Sequence, residues 1–256
     1  MAAATPSIVR ADRHCRALAA RYDIRGYKRI YLAHIRKTGG TSINNMFLAL
    51  SGTDPAALYS LLARSQGTRL IRNNLVFVGW NVRLLNRGDY YYGFSHTPLH
   101  ELSLPERTFT LTCFRDPIER VLSHYNMLVD FRTNGIPHPC MRTEGQWLGK
   151  CFEDFLERVP RKHLQNQLFM FSRHFSIDEA VSRVRRLSYW FFGDNFDSGV
   201  SGLRFRTGLP LEPLHVRSAR QHAQPPASTL SALREELDEE YAFLSVIRQL
   251  GASFAS

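Results

Sequence analysis

The chain is 256 residues long, 44% hydrophobic and 22% charged, the proportions of a globular protein able to bury a sizeable core. It shows no internal repeat, heptad pattern or low-complexity block, which excludes solenoids and coiled coils. Thirty-three Lys and Arg face 23 Asp and Glu, a net charge of +10, and such a surplus favours anionic partners. Arginine carries most of it, since the lysines are Lys28, Lys37, Lys150 and Lys162 alone.

The opening stretch, MAAATPSIVRADRHCRALAARYDI, lacks a sustained apolar region and does not read as a signal peptide. No apolar run approaches the ~18–20 residues of a membrane span. Cys15, Cys113, Cys140 and Cys151 show no CxxC spacing, so neither a zinc site nor a redox pair is expected. These features predict a cytoplasmic protein without a metal. Residues 1–27 read as an extension and residues 28–250 as the core of a single domain spanning 1–256.

Ile30–Ile35 (IYLAHI) is a short apolar run that predicts a buried strand. From Ser42 the pattern turns helical, with Ile43, Met46, Phe47 and Leu50 on one side. Further strands are expected at Leu75–Val78, Tyr90–Phe94, Phe109–Phe114 and Tyr189–Phe192. Helices are expected from Pro117, a favoured first-turn residue, over Phe152–Val159, over Asp178–Leu187 and over Leu230–Leu250. Cys113 falls within a strand and reads as a packed thiol. Alternating strands and helices predict an α/β fold with a mostly parallel central sheet flanked by helices.

Two loops carry chemistry. The first, HIRKTGGTSINN (34–45), sits between strand and helix. It is not a Walker A loop, in which the glycines precede the lysine. A helix beginning near Thr41 aims its unsatisfied N–H groups and positive dipole end back at the loop. Gly39 and Gly40 allow close approach of an oxyanion, Thr38, Thr41 and Ser42 offer hydroxyls, and Lys37 supplies charge. The set describes a phosphate cradle; taken alone, it is also compatible with a glycine turn capped by Thr or Ser. The second, FRDPIERVLSHY (114–125), places Arg115 at a strand's carboxyl end, where ligands of open α/β sheets bind. Ser123 follows about two helical turns on, so the two could grip one tetrahedral anion. An ion-pair network of Arg115, Asp116 and Arg120 at a helix start is the plainer alternative.

Together, about 75 residues apart and in this order, HIRKTGGTS and FRDPIERVLSHY resemble the two cofactor signatures of PAPS-dependent sulfotransferases. The likeness is to the carbohydrate type, with heparan sulfate 2-O-sulfotransferase and bacterial relatives. YWFFGDNFDSGVSGLRFRTGL (189–209) resembles the family's late strand and helix, with Asp194-Asn195 in place of its usual Thr-Glu. The segment 230–250 resembles its C-terminal helix. The resemblance implies a P-loop-like three-layer fold. It implies that Lys37, Thr38, Gly39, Gly40, Thr41 and Ser42 hold the 5′-phosphosulfate, and that Arg115 and Ser123 hold the 3′-phosphate; Arg36 could add charge to the donor at the same loop. PAPS is then the donor and PAP the product.

GFSHTPLHEL (93–102) resembles the family's segment carrying a histidine base, with Ser95 where glycine is usual. This makes His96 the leading base, with His100 and Glu101 in reserve. In-line sulfuryl transfer would use Lys37 at the leaving phosphate oxygen and His96 on the acceptor hydroxyl. His34 reads as packing or hydrogen-bonding at the end of the first strand, and His124 as facing away from the phosphate. Asn166-Gln167 could touch donor or acceptor or cap a core helix, and Arg217 and Arg220 could close over the nucleotide. Phe131–Lys150, with Trp147, is a candidate acceptor-side lid. The expected partner is a hydroxyl-bearing acceptor, glycans included, and not nucleic acid. The rival readings are a kinase with an atypical phosphate loop and a non-catalytic polyanion-binding protein using clusters such as Arg183, Arg185 and Arg186.

Overall fold

The alternation of apolar runs with capped helical stretches builds a layered α/β molecule. The computed structural model describes residues 23–65, 68–214 and 224–253; Cys15, Arg217, Arg220 and most of the N-terminal extension lie outside them. Six strands form one sheet: β1 (Arg29–Ala33), β2 (Leu70–Arg72), β3 (Leu75–Gly79), β4 (Tyr92–Ser95), β5 (Thr108–Phe114) and β6 (Tyr189–Phe192). Their order is β2-β3-β4-β1-β5-β6. Every pairing is parallel except that of β2 with β3.

The helices are α1 (Gly40–Ala49), α2 (Pro55–Arg64), α3 (Val82–Arg87), α4 (Pro117–Thr133), α5 (Phe152–Arg158), α6 (Arg161–Leu164), α7 (Asn166–Phe169), α8 (Ile177–Val184), α9 (Phe196–Thr207), α10 (Ala227–Glu236) and α11 (Asp238–Ser253). β1 explains why the sheet needs cover on both faces. Ile30 and Leu32 point into one apolar cluster with Ile43 and Phe47 of α1. Tyr31 and Ala33 point into a second, with Phe171, Val184 and Phe243. A strand buried on both sides has no polar face to alternate, hence the continuous run in its sequence. Burial of each such large apolar side chain contributes about 1.5–3 kcal/mol. A third cluster joins α4 and α5 to Trp147, Leu148 and Leu233.

β1 lies between β4 and β5. The chain leaves it toward β3 and β4, then crosses to β5 on the other side. Loops at the carboxyl ends of β1, β4 and β5 therefore lie together at the switch point of the strand order, where such sheets bind ligands.

Several boundaries differ from the sequence expectations. β1 ends at Ala33, and the last two residues of the expected strand, His34 and Ile35, belong to the loop. β4 begins at Tyr92 and includes Ser95. The expected helix to Leu187 ends at Val184. The single helix expected over 230–250 is two, broken at Leu237, whose φ of −96° and ψ of 8° leave the helical region. Ile24, inside the stretch read as an extension, is buried in the first cluster and bridges Tyr27. No helix among the described residues is long and apolar enough to cross a membrane.

Candidate active site

The loop after β1 is shaped by its own backbone. Lys37 and Gly39 adopt positive φ, 67° and 92°, a conformation that costs a lysine about 1–3 kcal/mol and that tends to gather at ligand-binding turns. Gly39 is the N-cap of α1 and provides no side-chain cap, so the Thr or Ser cap of the plainer alternative is not formed. Gly40 is required by a neighbour: a Cβ there would lie 1.9 Å from Cδ2 of His34. Three of the expected hydroxyls differ in placement. Thr38 is buried and its Oγ1 donates to the Ile35 carbonyl at 3.0 Å, holding the loop rather than facing outward. Ser42 is buried, and Thr41 is exposed at the helix start.

The two loops meet. Arg115, leaving β5 beside β1, sends Nη1 to the Lys37 carbonyl at 3.4 Å and Nε to Glu119 at 3.1 Å. Asp116 caps α4 by accepting from the Glu119 N–H. Ser123 is half-buried two turns along α4, and the Arg115 guanidinium is turned to Lys37 and Glu119 rather than to it. The crowding is visible in the lysine: burial, then the charges of Arg115 and Arg36, bring its pKa down to about 8. Lys37 and Arg115, brought together on adjoining loops, favour an anion beside them, because its charge offsets both their repulsion and the desolvation of the lysine. The residues present thus fit a phosphate-bearing ligand.

His96 stands where β4 leaves the sheet, next to β1 in the register Ala33 to Ser95. Its Nδ1 lies 2.7 Å from the His34 carbonyl, and the His34 and His96 rings are 4.3 Å apart. His34 is fixed in turn by a buried chain. The Tyr92 hydroxyl donates to Asn44 Oδ1 at 2.7 Å, and Asn44 Nδ2 donates to His34 Nδ1 at 3.3 Å. Burial and the nearby Arg36 charge lower the His96 pKa to about 4. The reserve bases are elsewhere: His100 packs edge-on against Phe169, and Glu101 is exposed beside it.

Two further features were not drawn from the sequence. Arg36, expected to face the donor, instead forks onto Glu144, which also accepts from His124 Nε2 at 2.8 Å. Burial alone would raise the Glu144 carboxyl; the His124 hydrogen bond and the Arg36 charge outweigh it and hold the group below its usual range. His124 is therefore part of this network. The segment read as a lid is consequently pinned: Trp147 is buried, its ring 4.7 Å from that of His163. The second feature is Trp80, half-buried at the end of β3 with a φ of 54°. It packs on Tyr59 and Phe94 and faces His96 at 6.4 Å between ring centroids.

Asn166 and Gln167 do reach the two loops, but through main-chain groups. Asn166 Oδ1 accepts from the Arg36 N–H at 3.4 Å, and Gln167 bonds the Arg115 backbone. Among the described residues no three His, Cys, Asp or Glu side chains gather as a metal ion would need.

A search of the curated proteins finds no match. The profile described as the sulfotransferase family matches residues 20–177, more than half of the chain and a span that includes both loops and His96. The chain belongs to the sulfotransferase family.

Proposed function

We propose that this sulfotransferase moves the sulfuryl group of PAPS to a hydroxyl of its acceptor, with Lys37 and His96 on the two sides of the transfer. The observation that carries the reading is the Arg115 to Lys37 contact at 3.4 Å, which makes the two loops one site. The first loop receives the 5′-phosphosulfate at the N-terminus of α1, where the aligned N–H groups and dipole favour an anion. Arg115 receives the 3′-phosphate with Ser123. Bond formation runs from acceptor oxygen to sulfur while the sulfur to phosphate-oxygen bond breaks in line. Lys37 meets the negative charge gathering on the leaving phosphate oxygen. His96 takes the acceptor proton at Nε2, the nitrogen left with a lone pair when Nδ1 donates to the His34 carbonyl. Arg36, paired with Glu144, contributes at longer range by holding the loop.

A ring-bearing acceptor, a glycan unit among them, suits the aromatic wall of Trp80 and Tyr59 beside His96. The test is transfer of isotopically labelled sulfate from PAPS to a panel of glycan, phenol and small alcohol acceptors. Labelled product that vanishes with Lys37→Ala and falls sharply with His96→Ala supports the reading. Transfer by His96→Ala at the parent rate removes His96 as base. Failure to use PAPS with any acceptor, together with failure to bind PAP, rejects the donor.

A further inference from the structure

We propose that Gln167 is the positioning residue for Arg115, and that it thereby sets how strongly the site prefers a nucleotide carrying a 3′-phosphate. The inference rests on the reading that Arg115 receives that phosphate. One side-chain amide holds both main-chain groups of Arg115: Oε1 accepts its N–H at 2.9 Å and Nε2 donates to its carbonyl at 2.9 Å. β5 ends at Phe114, so the sheet no longer supplies these partners, and Gln167 extends the ladder by one residue. The direction in which the guanidinium leaves the backbone is fixed there.

The amide cannot turn over. Its second N–H donates to Glu240 Oε1 at 3.0 Å, and Glu240 Oε2 also accepts the main-chain N–H groups of Gln167 at 2.8 Å and Leu168 at 3.1 Å. A flipped amide would set oxygen against carboxylate and NH2 against the Arg115 N–H. Glu240 and Gln167 are fully buried, and so is Arg120, whose Nε lies 3.8 Å from Glu240. Arg120 offsets part of the burial that raises the Glu240 carboxyl, and Glu240 locks the glutamine that locks the arginine. Gln167 touches neither Lys37 nor the His96 ring, so its effect should fall on one end of the nucleotide.

Calorimetry with two probes reads this directly: adenosine 3′,5′-bisphosphate, and adenosine 5′-monophosphate, which lacks the 3′-phosphate. In Gln167→Ala the preference for the bisphosphate should fall roughly tenfold or more, the scale of one charged hydrogen bond, with monophosphate affinity within about threefold of the parent. Arg115→Ala should show the same loss. Glu240→Gln, which keeps shape and acceptor but weakens the lock, should lie between and serves as the readout if Gln167→Ala does not fold by circular dichroism. Equal weakening of both probes in the Gln167 or Glu240 variants, or an unchanged preference while Arg115→Ala loses it, overturns the inference. An unchanged preference in Arg115→Ala overturns the phosphate reading beneath it.

Discussion

Nδ1 of His96 lies 2.7 Å from the main-chain carbonyl of His34. A carbonyl only accepts, so Nδ1 carries the proton and Nε2 the lone pair. With its pKa lowered to about 4 by burial and by Arg36, the ring is neutral throughout the physiological range. The kcat/KM profile should therefore show an acid limb with a midpoint near 4 and a plateau through neutrality. His96→Gln should lose that limb and about 10²–10⁴ in kcat. An acid limb that survives the substitution, over a range where circular dichroism shows the variant still folded, would assign it to another group.

Acid should also unfold the protein. His34, His96, His124 and His163 all have folded pKa values below the ordinary 6.5, burial being the first cause in each. Neutral buried histidines contribute stability that is present above 6.5 and is lost as pH falls through the folded values, about 4 for the last three. Melting temperature should be flat above pH 7 and decline from pH 6.5 toward 4. A melting temperature constant down to pH 4 would contradict the burial of these rings.

Lys37 gives the opposite limb. Its pKa of about 8, set by burial and by Arg115 and Arg36, means the cation is lost in the free enzyme as pH rises past 8. kcat/KM should fall there, and Lys37→Arg should move the limb beyond the measured range, since a guanidinium stays protonated. Saturating donor should shift the limb upward, because a bound anion favours the charged lysine.

Gly40→Ala tests the loop's packing. In a solvent-exposed helix interior this change gains up to ~1 kcal/mol. Here the new Cβ would meet the His34 ring at 1.9 Å, and overpacking of this kind costs about 1–3 kcal/mol. Chemical denaturation should show net destabilisation. Activity should fall further than stability explains, because His34 orients His96.

Glu144→Ala should cost about 2 kcal/mol, the loss of charged hydrogen bonds to Arg36 and His124. Glu144→Gln should cost less. A change below ~0.5 kcal/mol in the alanine variant would show that the network does not hold the segment.

The central strands were legible because β1, β3 and β4 are buried on both faces and read as apolar runs, while the short edge strand β2 was not expected. Both loops stood out by residue order. What escaped was signalled locally but weakly. The β2–β3 turn is Asn73-Asn74, both at positive φ, a two-residue hairpin cue. Asp54-Pro55 caps α2 by accepting from the Ala56 and Ala57 N–H groups. Glu144 and Glu240 were illegible for a different reason: their bonds to Arg36 and Leu168 span 108 and 72 residues of chain, and no spacing rule reports such contacts; Gln167 was singled out, but not its bond to Arg115, 52 residues away. Thr38 looked like a ligand because hydroxyls in glycine loops often are, yet its own backbone satisfies it.

Calorimetric binding of adenosine 3′,5′-bisphosphate to the parent, Lys37→Ala and Arg115→Ala proteins tests the central claim, that the two loops form one donor site. The parent should bind without magnesium, each variant roughly tenfold or more weakly, and ATP with magnesium should bind poorly. Bisphosphate binding unchanged in both variants, or selective binding of ATP with magnesium, would contradict it.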